Sequence, residues 1–300
     1  MNTNQIKSFA QKARIVLLHG VESRLRYWGF TATGGHSQSP ESVSGGYTYA
    51  GQVYDDPSVP GKWRQIAEKC NTAQAYKDIK EDAAYTWFNR LMVLRILESN
   101  GYISPTLAYV PGTQIPHILQ QAKLGQHTLP TTTHKNKLTA YLTDHQDEQA
   151  LGFLLMHTFN TMPVLRTIFG DVSAYMDLLM PSNILAADGI LAMINDPSSI
   201  SHDMYQEVEL IGWLYQFYIA DKKDEVFAGF KANKKARAED IPAATQIFTP
   251  KWIVRYMVEN TLGKLYLDMD PSSKLASGMK YLVQSSSLLR EAGVSHPQSI

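Results

Sequence analysis

The residues best suited to chemistry lie near the C-terminal end of the sequence. Phe248, Thr249 and Pro250 stand directly before an apolar stretch with helical spacing. Threonine is a good N-cap, and proline suits the first helical position because the N–H that it lacks would have no partner there. The segment therefore predicts a helix capped by Thr249, with Pro250 as its first residue and Gly263 as its end. Such a helix start can meet a carboxylate or a phosphate of a ligand.

A basic stretch just before this segment could contact nucleic acid. Only two acidic residues lie among its six basic residues. The basic residues are Lys222, Lys223, Lys231, Lys234, Lys235 and Arg237. Such a group can neutralise DNA phosphates, although a run of this kind is also typical of a solvated linker. The aromatic-rich stretch from Glu207 to Ile219 fits a core helix better than a base-stacking surface, since its large apolar residues fall on one helical side.

Other polar constellations indicate structure rather than catalysis. The run from Asp144 to Glu148 holds one histidine without a second at helical spacing, so it predicts the acidic N-terminus of a helix. His157 lies in an apolar helical stretch and is expected to be a core histidine. The sequence contains neither a Gly-x-x-x-x-Gly-Lys loop nor a Gly-x-Ser-x-Gly elbow. We expect no metal site.

Helical periodicity dominates the elements that must position these residues. The spacing of apolar residues predicts helices over 6–30, 79–99, 149–161 and 207–219, with shorter ones at 172–179 and 188–195. Residues 31–61 are rich in Gly, Ser, Thr and Pro and predict a long mobile loop with a short hairpin around Tyr47–Tyr49, and residues 101–137 also predict loop. The expected fold is mainly α, an irregular helical bundle with less than about a tenth of its residues in strands.

Composition limits the classes of function. Lys+Arg 28 and Asp+Glu 28 give zero formal net charge, which argues against a dedicated DNA-binding protein. Any DNA surface is therefore expected to be local or to lie outside these 300 residues. The single Cys70 excludes an intrachain disulfide and is typical of a reducing cytoplasm. No apolar run approaches the roughly 20 residues that span a bilayer. We expect a cytoplasmic protein without membrane contact.

Several segments, taken in their order, resemble a known family. Ala84–Met92, Glu207–Gln216, Lys223–Phe227 and Ala238–Pro250 follow an opening Ile6–Ala10. This series is similar to the front part of the BREX-type adenine-specific DNA methyltransferases, the PglX/BrxX family, from residue 1 to about residue 284. Phe-Thr-Pro followed by an apolar helix also resembles motif X of N6-adenine DNA methyltransferases. In those enzymes the motif packs against the methionine end of S-adenosylmethionine, which implies a cofactor-binding role for Phe248, Thr249 and Pro250.

The resemblance implies a full-length enzyme that transfers a methyl group from S-adenosylmethionine to N6 of an adenine flipped out of double-stranded DNA. It also implies that the enzyme acts with other BREX proteins in anti-phage defence and host DNA modification. Residues 1–240 would form a helical N-terminal domain, and residues 241–300 would begin the Rossmann-like methyltransferase domain.

The family's two further motifs are absent from the 300 residues. Neither the glycine loop Asp-Pro-Ala-Cys-Gly-Ser-Gly nor the Asn-Pro-Pro-Tyr/Phe motif occurs. We therefore expect no catalytic residue in this chain and no methyltransferase activity from it alone. The alternative is a stand-alone helical module that binds protein or DNA within a defence complex without catalysis.

Overall fold

A computed structural model of the chain describes residues 2–104, 106–127, 129–170, 172–233, 235, 237 and 240–283. Helix accounts for 62% of these residues and strand for 5%, so the prediction of a mainly α fold with few strands is confirmed. The chain divides into two compact units, Met1–Ala244 and Thr245–Ile300.

The helices of the first unit, with α11 at its end, are α1 (Thr3–Tyr27), α2 (Val59–Lys69), α3 (Ala73–Ser99), α4 (His117–Lys123), α5 (Thr132–Thr143), α6 (Asp147–Thr161), α7 (Pro163–Phe169), α8 (Ile190–Asn195), α9 (Leu210–Tyr218), α10 (Ala220–Lys231) and α11 (Ile241–Thr245). Its strands are β1 (Glu41–Val43), β2 (Gly46–Tyr49) and β3 (Gln52–Tyr54), and its 3-10 turns are Ala174–Asp177 and His202–Gln206. The second unit contains α12 (Lys251–Val258), a π-helical turn (Glu259–Gly263), α13 (Lys264–Met269) and a 3-10 turn (Lys274–Gly278).

Two long helices, α1 and α3, organise the core of the first unit. Helix α1 packs along both α3 and α9. Its contact face is an apolar stripe at helical spacing, at most 2% exposed throughout: Ile6, Phe9, Ala10, Ala13, Leu17, Val21 and Leu25. Full burial of one large apolar side chain contributes about 1.5–3 kcal/mol, so this stripe is a main stabilising feature of the unit.

Polar caps and glycines set the ends of these two helices. The side chain of Thr72 accepts a hydrogen bond from the Ala75 N–H at 3.1 Å and caps α3. At the C-terminal ends, Gly29 and Gly101 have φ of 81° and 73°, a conformation that glycine adopts without strain. Each glycine lies two residues after the last helical residue, where a helix C-terminus favours one. Helix α1 ends at Tyr27 rather than residue 30, and α3 begins at Ala73 rather than residue 79.

The segment between α1 and α2 is a three-stranded antiparallel sheet instead of the mobile loop that its composition predicts. Strand β2 pairs with β1 and with β3, which confirms a hairpin at Tyr47–Tyr49 and adds a third strand. Tyr47 and Tyr49 are buried, and the Tyr49 ring lies 5.1 Å from the Trp28 ring. Aromatic burial fixes the sheet. The sequence misleads here because the glycines and serines of tight turns are also those of loose linkers.

Two helices, α4 and α5, interrupt the loop predicted over 101–137. The chain before α4 is held by the buried carboxylate of Glu98, which accepts the N–H groups of Thr106, Leu107 and Ala108 at 3.0, 3.2 and 3.0 Å. Hydrogen bonds to an ionised acceptor are among the stronger ones in proteins. Such a contact forms between segments, so local periodicity does not show it.

Of the three later predicted helices, two occur with shorter bounds, and the prediction at 172–179 is wrong. The stretch 172–179 holds only the 3-10 turn Ala174–Asp177, and 188–195 holds α8. The stretch 207–219 is α9, which begins at Leu210 and buries Leu210, Leu214 and Tyr218, so the core interpretation of this aromatic helix is confirmed. Among the helices that the structure describes, none is both long and apolar enough to cross a bilayer.

In the second unit, α12, the π-helical turn and α13 form one uninterrupted helical segment, and the predicted stop at Gly263 is wrong. Gly263 has helical backbone angles, and a Cβ added to it would lie 3.0 Å from Met279 Cε. The glycine therefore allows Met279 to pack closely against the helix rather than ending it.

Candidate functional site

Phe248, Thr249 and Pro250 lie directly before α12, but the helix starts one residue later than predicted. Pro250 is the N-cap, with φ −56° and ψ 145°, no side-chain hydrogen bond caps the helix, and Lys251 is its first residue. Proline fixes φ and leaves ψ free, so Pro250 can remain extended while its carbonyl accepts the first helical hydrogen bonds. The residue before a proline is also driven towards extended geometry. The predictions that Thr249 caps the helix and that Pro250 is its first residue are therefore wrong.

This segment offers three kinds of contact to a ligand. The Phe248 ring is half-buried and the Thr249 side chain is exposed. The ring of Trp252, the second residue of α12, is also exposed. The N-terminus of α12 adds a partial positive charge, as any α-helix N-terminus does. An aromatic surface, a hydroxyl and a positive helix end can together contact one side of a ligand that has an apolar part and an anionic part.

Polar residues of the π-helical turn fix α12 to the chain that follows α13. The buried Glu259 carboxylate accepts the Tyr281 N–H at 2.5 Å and pairs with Arg255 at 3.0 Å. The Asn260 side chain donates to the Tyr281 carbonyl at 2.8 Å and accepts the Val283 N–H at 2.7 Å. Residues 281–283 are thus attached to the helix that begins beside Phe-Thr-Pro.

The six candidate DNA-binding cations have unequal surroundings. Lys222 lines a cavity, and the Lys223 ammonium lies 6.0 Å from the centre of the Phe227 ring. Lys231 and Lys235 are exposed. Lys234 lies outside the described residues.

Arg237 is engaged with carboxylates. Its guanidinium donates two hydrogen bonds to Asp240, at 3.0 and 3.1 Å, and lies 3.6 Å from Asp78. A guanidinium already paired with two carboxylates would have to exchange these contacts to bind a phosphate. Lys231 and Lys235 are therefore the better-placed members of the basic stretch for contact with DNA.

The histidine and the acids singled out in the sequence belong to the packing of α6. Asp147 and Glu148 occupy its first turn, as predicted, and Asp147 pairs with Lys123 at 2.6 Å. His157 is half-buried rather than a core residue, because its ring faces two other histidines, His127 and His134, with ring centres 6.4 and 6.1 Å away. The part of the chain that the structure describes contains no group of three or more His, Cys, Asp or Glu suited to a metal ion.

A cavity of about 480 Å³, which no motif in the sequence indicates, lies within the first unit. Its wall on α3 is formed by Asp78, Glu81, Asp82 and Tyr85, and α1, α9 and α10 contribute further charged and aromatic side chains. Positions 78, 81, 82 and 85 share one helical face, and this polar stripe on an otherwise apolar helix is the signal that could have indicated the cavity.

Comparison with known proteins finds two adenine-specific methyltransferases that are similar to the chain. No family model matches it. The chain is 34% identical over 292 residues to the adenine-specific methyltransferase BrxX of Escherichia coli O9:H4 (strain HS), covering 95% of this chain and 23% of that protein. It is 29% identical over 289 residues to the adenine-specific methyltransferase PglX of Lacticaseibacillus casei (strain Zhang), covering 89% of this chain and 23% of that protein.

BrxX and PglX are thus homologues of this chain, and the resemblance recognised in the sequence is confirmed. The chain spans 23% of the length of each of these two relatives.

Proposed function

We propose that the chain is the N-terminal part of a site-specific DNA methyltransferase that methylates N6 of adenine with S-adenosylmethionine as the methyl donor. The observation that carries this proposal is the similarity to BrxX and PglX over 95% and 89% of the chain. The two proteins named as adenine-specific methyltransferases share with this chain the helical unit as well as the segment around Phe-Thr-Pro, since the matches cover nearly all of it.

In this proposal the N-terminal and C-terminal parts of the chain have different roles. Residues 1–240 form a helical scaffold, and residues 241–300 begin a Rossmann-like methyltransferase domain. Support comes from the surface of the second unit, where large apolar side chains are exposed along one helical segment: Trp252, Val258, Leu262, Leu265 and Met269. A helical segment with this many exposed apolar side chains is expected to be covered in the complete protein. The relatives contain ample additional chain to cover it, since this chain spans 23% of their length.

Phe248, Thr249 and Pro250 form one wall of the cofactor pocket in the proposed enzyme. The residues fit the methionine end of S-adenosylmethionine, because an aromatic ring and a hydroxyl stand beside a helix N-terminus that favours a carboxylate. The cofactor supplies an activated methyl group on a sulfonium, and these side chains would orient the end of the molecule that does not react. The remaining walls and the catalytic residues come from outside the 300 residues.

The proposed substrate is double-stranded DNA, with Lys231 and Lys235 contacting phosphates. Each phosphate contact that is lost should weaken binding to all DNA sequences alike. It should also reduce the slope of log K against log salt concentration by about one. Within a cytoplasmic BREX complex, the scaffold would also meet other BREX proteins, and the modification would mark host DNA during defence against phage.

The proposal is tested with Phe248→Ala and Thr249→Ala in the full-length protein that contains this chain. We expect melting temperatures close to that of the wild type, with S-adenosylmethionine binding and methylation of genomic adenines weakened several-fold, since small displacements of reacting groups reduce rates steeply. Thr167→Ala, at an exposed position of α7, is the matched control and should change neither property.

Two results would count against the proposal in different ways. Wild-type methylation by both variants at equal amounts of folded protein would remove the cofactor role of Phe-Thr-Pro. A full-length protein that binds S-adenosylmethionine but leaves adenines unmodified in every DNA tested would overturn the enzyme assignment itself.

A further inference from the structure

The cavity of the first unit combines acidic and aromatic walls, and we propose that it binds an organic cation carrying an ammonium or a guanidinium group. Its volume of about 480 Å³ lies within the range of about 300–1,000 Å³ typical of small-molecule pockets. The cavity lies wholly within the first unit, so this inference is independent of the proposed methyltransferase function.

Three tyrosines supply the aromatic part of the cavity. Tyr85 comes from α3, and Tyr215 and Tyr218 come from successive turns of α9. The Tyr85 ring centre lies 5.6 Å from that of Tyr215 and 5.7 Å from that of Tyr218, with interplanar angles of 50° and 52°. Tilted rings of this kind present faces as well as edges, and the face of a tyrosine attracts ammonium and guanidinium groups.

The acidic wall comes from α3, and one of its members lacks an ion pair of its own. Glu81 is occupied by Arg14, with 2.6 Å between guanidinium and carboxylate, and Arg14 also lies 3.7 Å from Asp221. Asp82 stands at the exposed rim and makes no ion pair with the residues that the structure describes. Although the side chain reaches solvent, partial desolvation of its carboxylate raises the pKa of Asp82, and the charges of Lys69 and Arg90 oppose that rise only in part. A cation beside Asp82 would stabilise its carboxylate.

The hydroxyl of Tyr218 is a second, independent sign of a ligand. Tyr218 is 2% exposed and lines the cavity, yet its hydroxyl has no hydrogen-bond partner among the described residues. Burial raises the pKa of Tyr218, so the hydroxyl stays protonated at physiological pH. A buried hydroxyl without a partner is unfavourable, and an N–H of a bound ammonium or guanidinium group could donate to its oxygen.

The charges around the cavity favour a cation over an anion. Of the two basic residues on its wall, Arg14 is held by Glu81 and Asp221, and the charge of Lys222 contributes to lowering the pKa of Asp240. The chain also places a cation of its own on this acidic wall, since Arg237 lies 3.6 Å from Asp78. A phosphate or carboxylate entering the cavity would meet three acidic side chains of α3.

Calorimetry on the purified 300-residue chain tests the proposal with two cationic probes. Spermidine represents a free polyamine, and N-acetyl-arginine amide represents a basic side chain of a partner polypeptide. We expect at least one probe to bind with a stoichiometry of one, and the probe that binds more tightly identifies the source of the cation. N-acetyl-alanine amide, which is neutral, should not bind.

Two substitutions connect the binding to the cavity. Asp82→Asn and Tyr215→Leu should each weaken binding at least tenfold, while Asp188→Asn, an exposed acid of the first unit that does not line the cavity, should leave binding unchanged. Because Asp82 is exposed and makes no ion pair with the described residues, Asp82→Asn should keep the melting temperature, so its lost binding would not reflect misfolding. Absence of binding by both probes, equal binding by Asp82→Asn and the wild type, or tighter binding of inorganic phosphate than of either cation would overturn the proposal.

Discussion

A carboxylate is tolerated inside a helical bundle only when its oxygens are hydrogen-bonded, and Glu98 meets that requirement with backbone donors. Three consecutive N–H groups, those of Thr106, Leu107 and Ala108, converge on it, and Arg95 lies 3.5 Å away. One side chain therefore orders the loop that follows α3. No apolar stripe or glycine marks this role in the sequence, so only the structure reveals it.

Glu98→Gln should lower the free energy of unfolding by about 2–3 kcal/mol, because the amide removes a charged acceptor and places an N–H group against other N–H groups. Urea denaturation followed by circular dichroism measures the loss. Glu68→Gln, the same change at an exposed position of α2, should stay within about 0.5 kcal/mol of the wild type. Equal losses in both variants would show that the hydrogen bonds of Glu98 do not contribute to the free energy of unfolding.

His157 should make the stability of the chain depend on pH. Burial, followed by the charges of His127 and His134, lowers its pKa from the ordinary value of 6.5. The unfolded state therefore binds a proton more readily than the folded state, and the stability present above pH 6.5 is lost as pH falls below it.

Between pH 7 and pH 5, we expect the wild type to lose more free energy of unfolding than His157→Gln does. Denaturation at a series of pH values is the measurement. His19→Gln removes an exposed histidine of α1 and should follow the wild type. If His157→Gln shows the full pH dependence of the wild type, the protonation of this histidine does not control stability.

At the scale of elements, apolar periodicity predicts the long helices well, because α1, α3 and α6 bury one stripe or more against neighbours. Gly29 and Gly101, which both have positive φ, mark the C-terminal ends of α1 and α3. The predicted start of α12 is one residue too early. Threonine can stand at the N-cap or before it, and proline can be the first helical residue or the N-cap. Only the ψ angle of Pro250, which the sequence does not fix, distinguishes them.

The two threonines that precede helices provide a direct comparison of these starts. Thr72→Ala should destabilise the chain by about 1 kcal/mol, because its side chain caps α3 at 3.1 Å. Thr249→Ala should leave stability unchanged within error, since Pro250 occupies the capping position of α12. Chemical denaturation of both variants is the measurement, and a loss at Thr249 equal to that at Thr72 would restore the predicted cap.

For the whole molecule, the order of several segments along the sequence identified the relatives, although no single segment was specific. The positions of the charged side chains could not be obtained in the same way. The sequence suggests that Arg237 is available to bind DNA, but its guanidinium is paired with Asp240 and Asp78. The contact with Asp78 depends on the packing of separate elements. The cavity on α3 also needs α1 and α9 beside it, so it exists only in the folded unit.

The 300-residue chain by itself should not methylate adenine in DNA and should not bind S-adenosylmethionine with micromolar affinity. The Phe-Thr-Pro segment provides one wall, and a small-molecule site normally encloses most of its ligand. Calorimetry with the cofactor and a methylation assay on adenine-containing DNA test this. Micromolar binding that spermidine abolishes would assign the cofactor to the tyrosine-lined cavity instead, and binding that spermidine leaves intact would indicate another complete pocket in this chain.

The packed sheet between α1 and α2 has a consequence for the way natural variation in this region should be interpreted. A Cβ added at Gly46 would lie 1.9 Å from the Tyr54 carbonyl oxygen, and one at Gly34 would lie 2.5 Å from Thr72 Cα. Even alanine cannot be accommodated at such distances without moving backbone. These two glycines should therefore resist replacement among relatives as strongly as core residues do. An invariant Gly-rich stretch is commonly taken as a sign of phosphate or cofactor binding, but here invariance would report the close approach of one backbone to another.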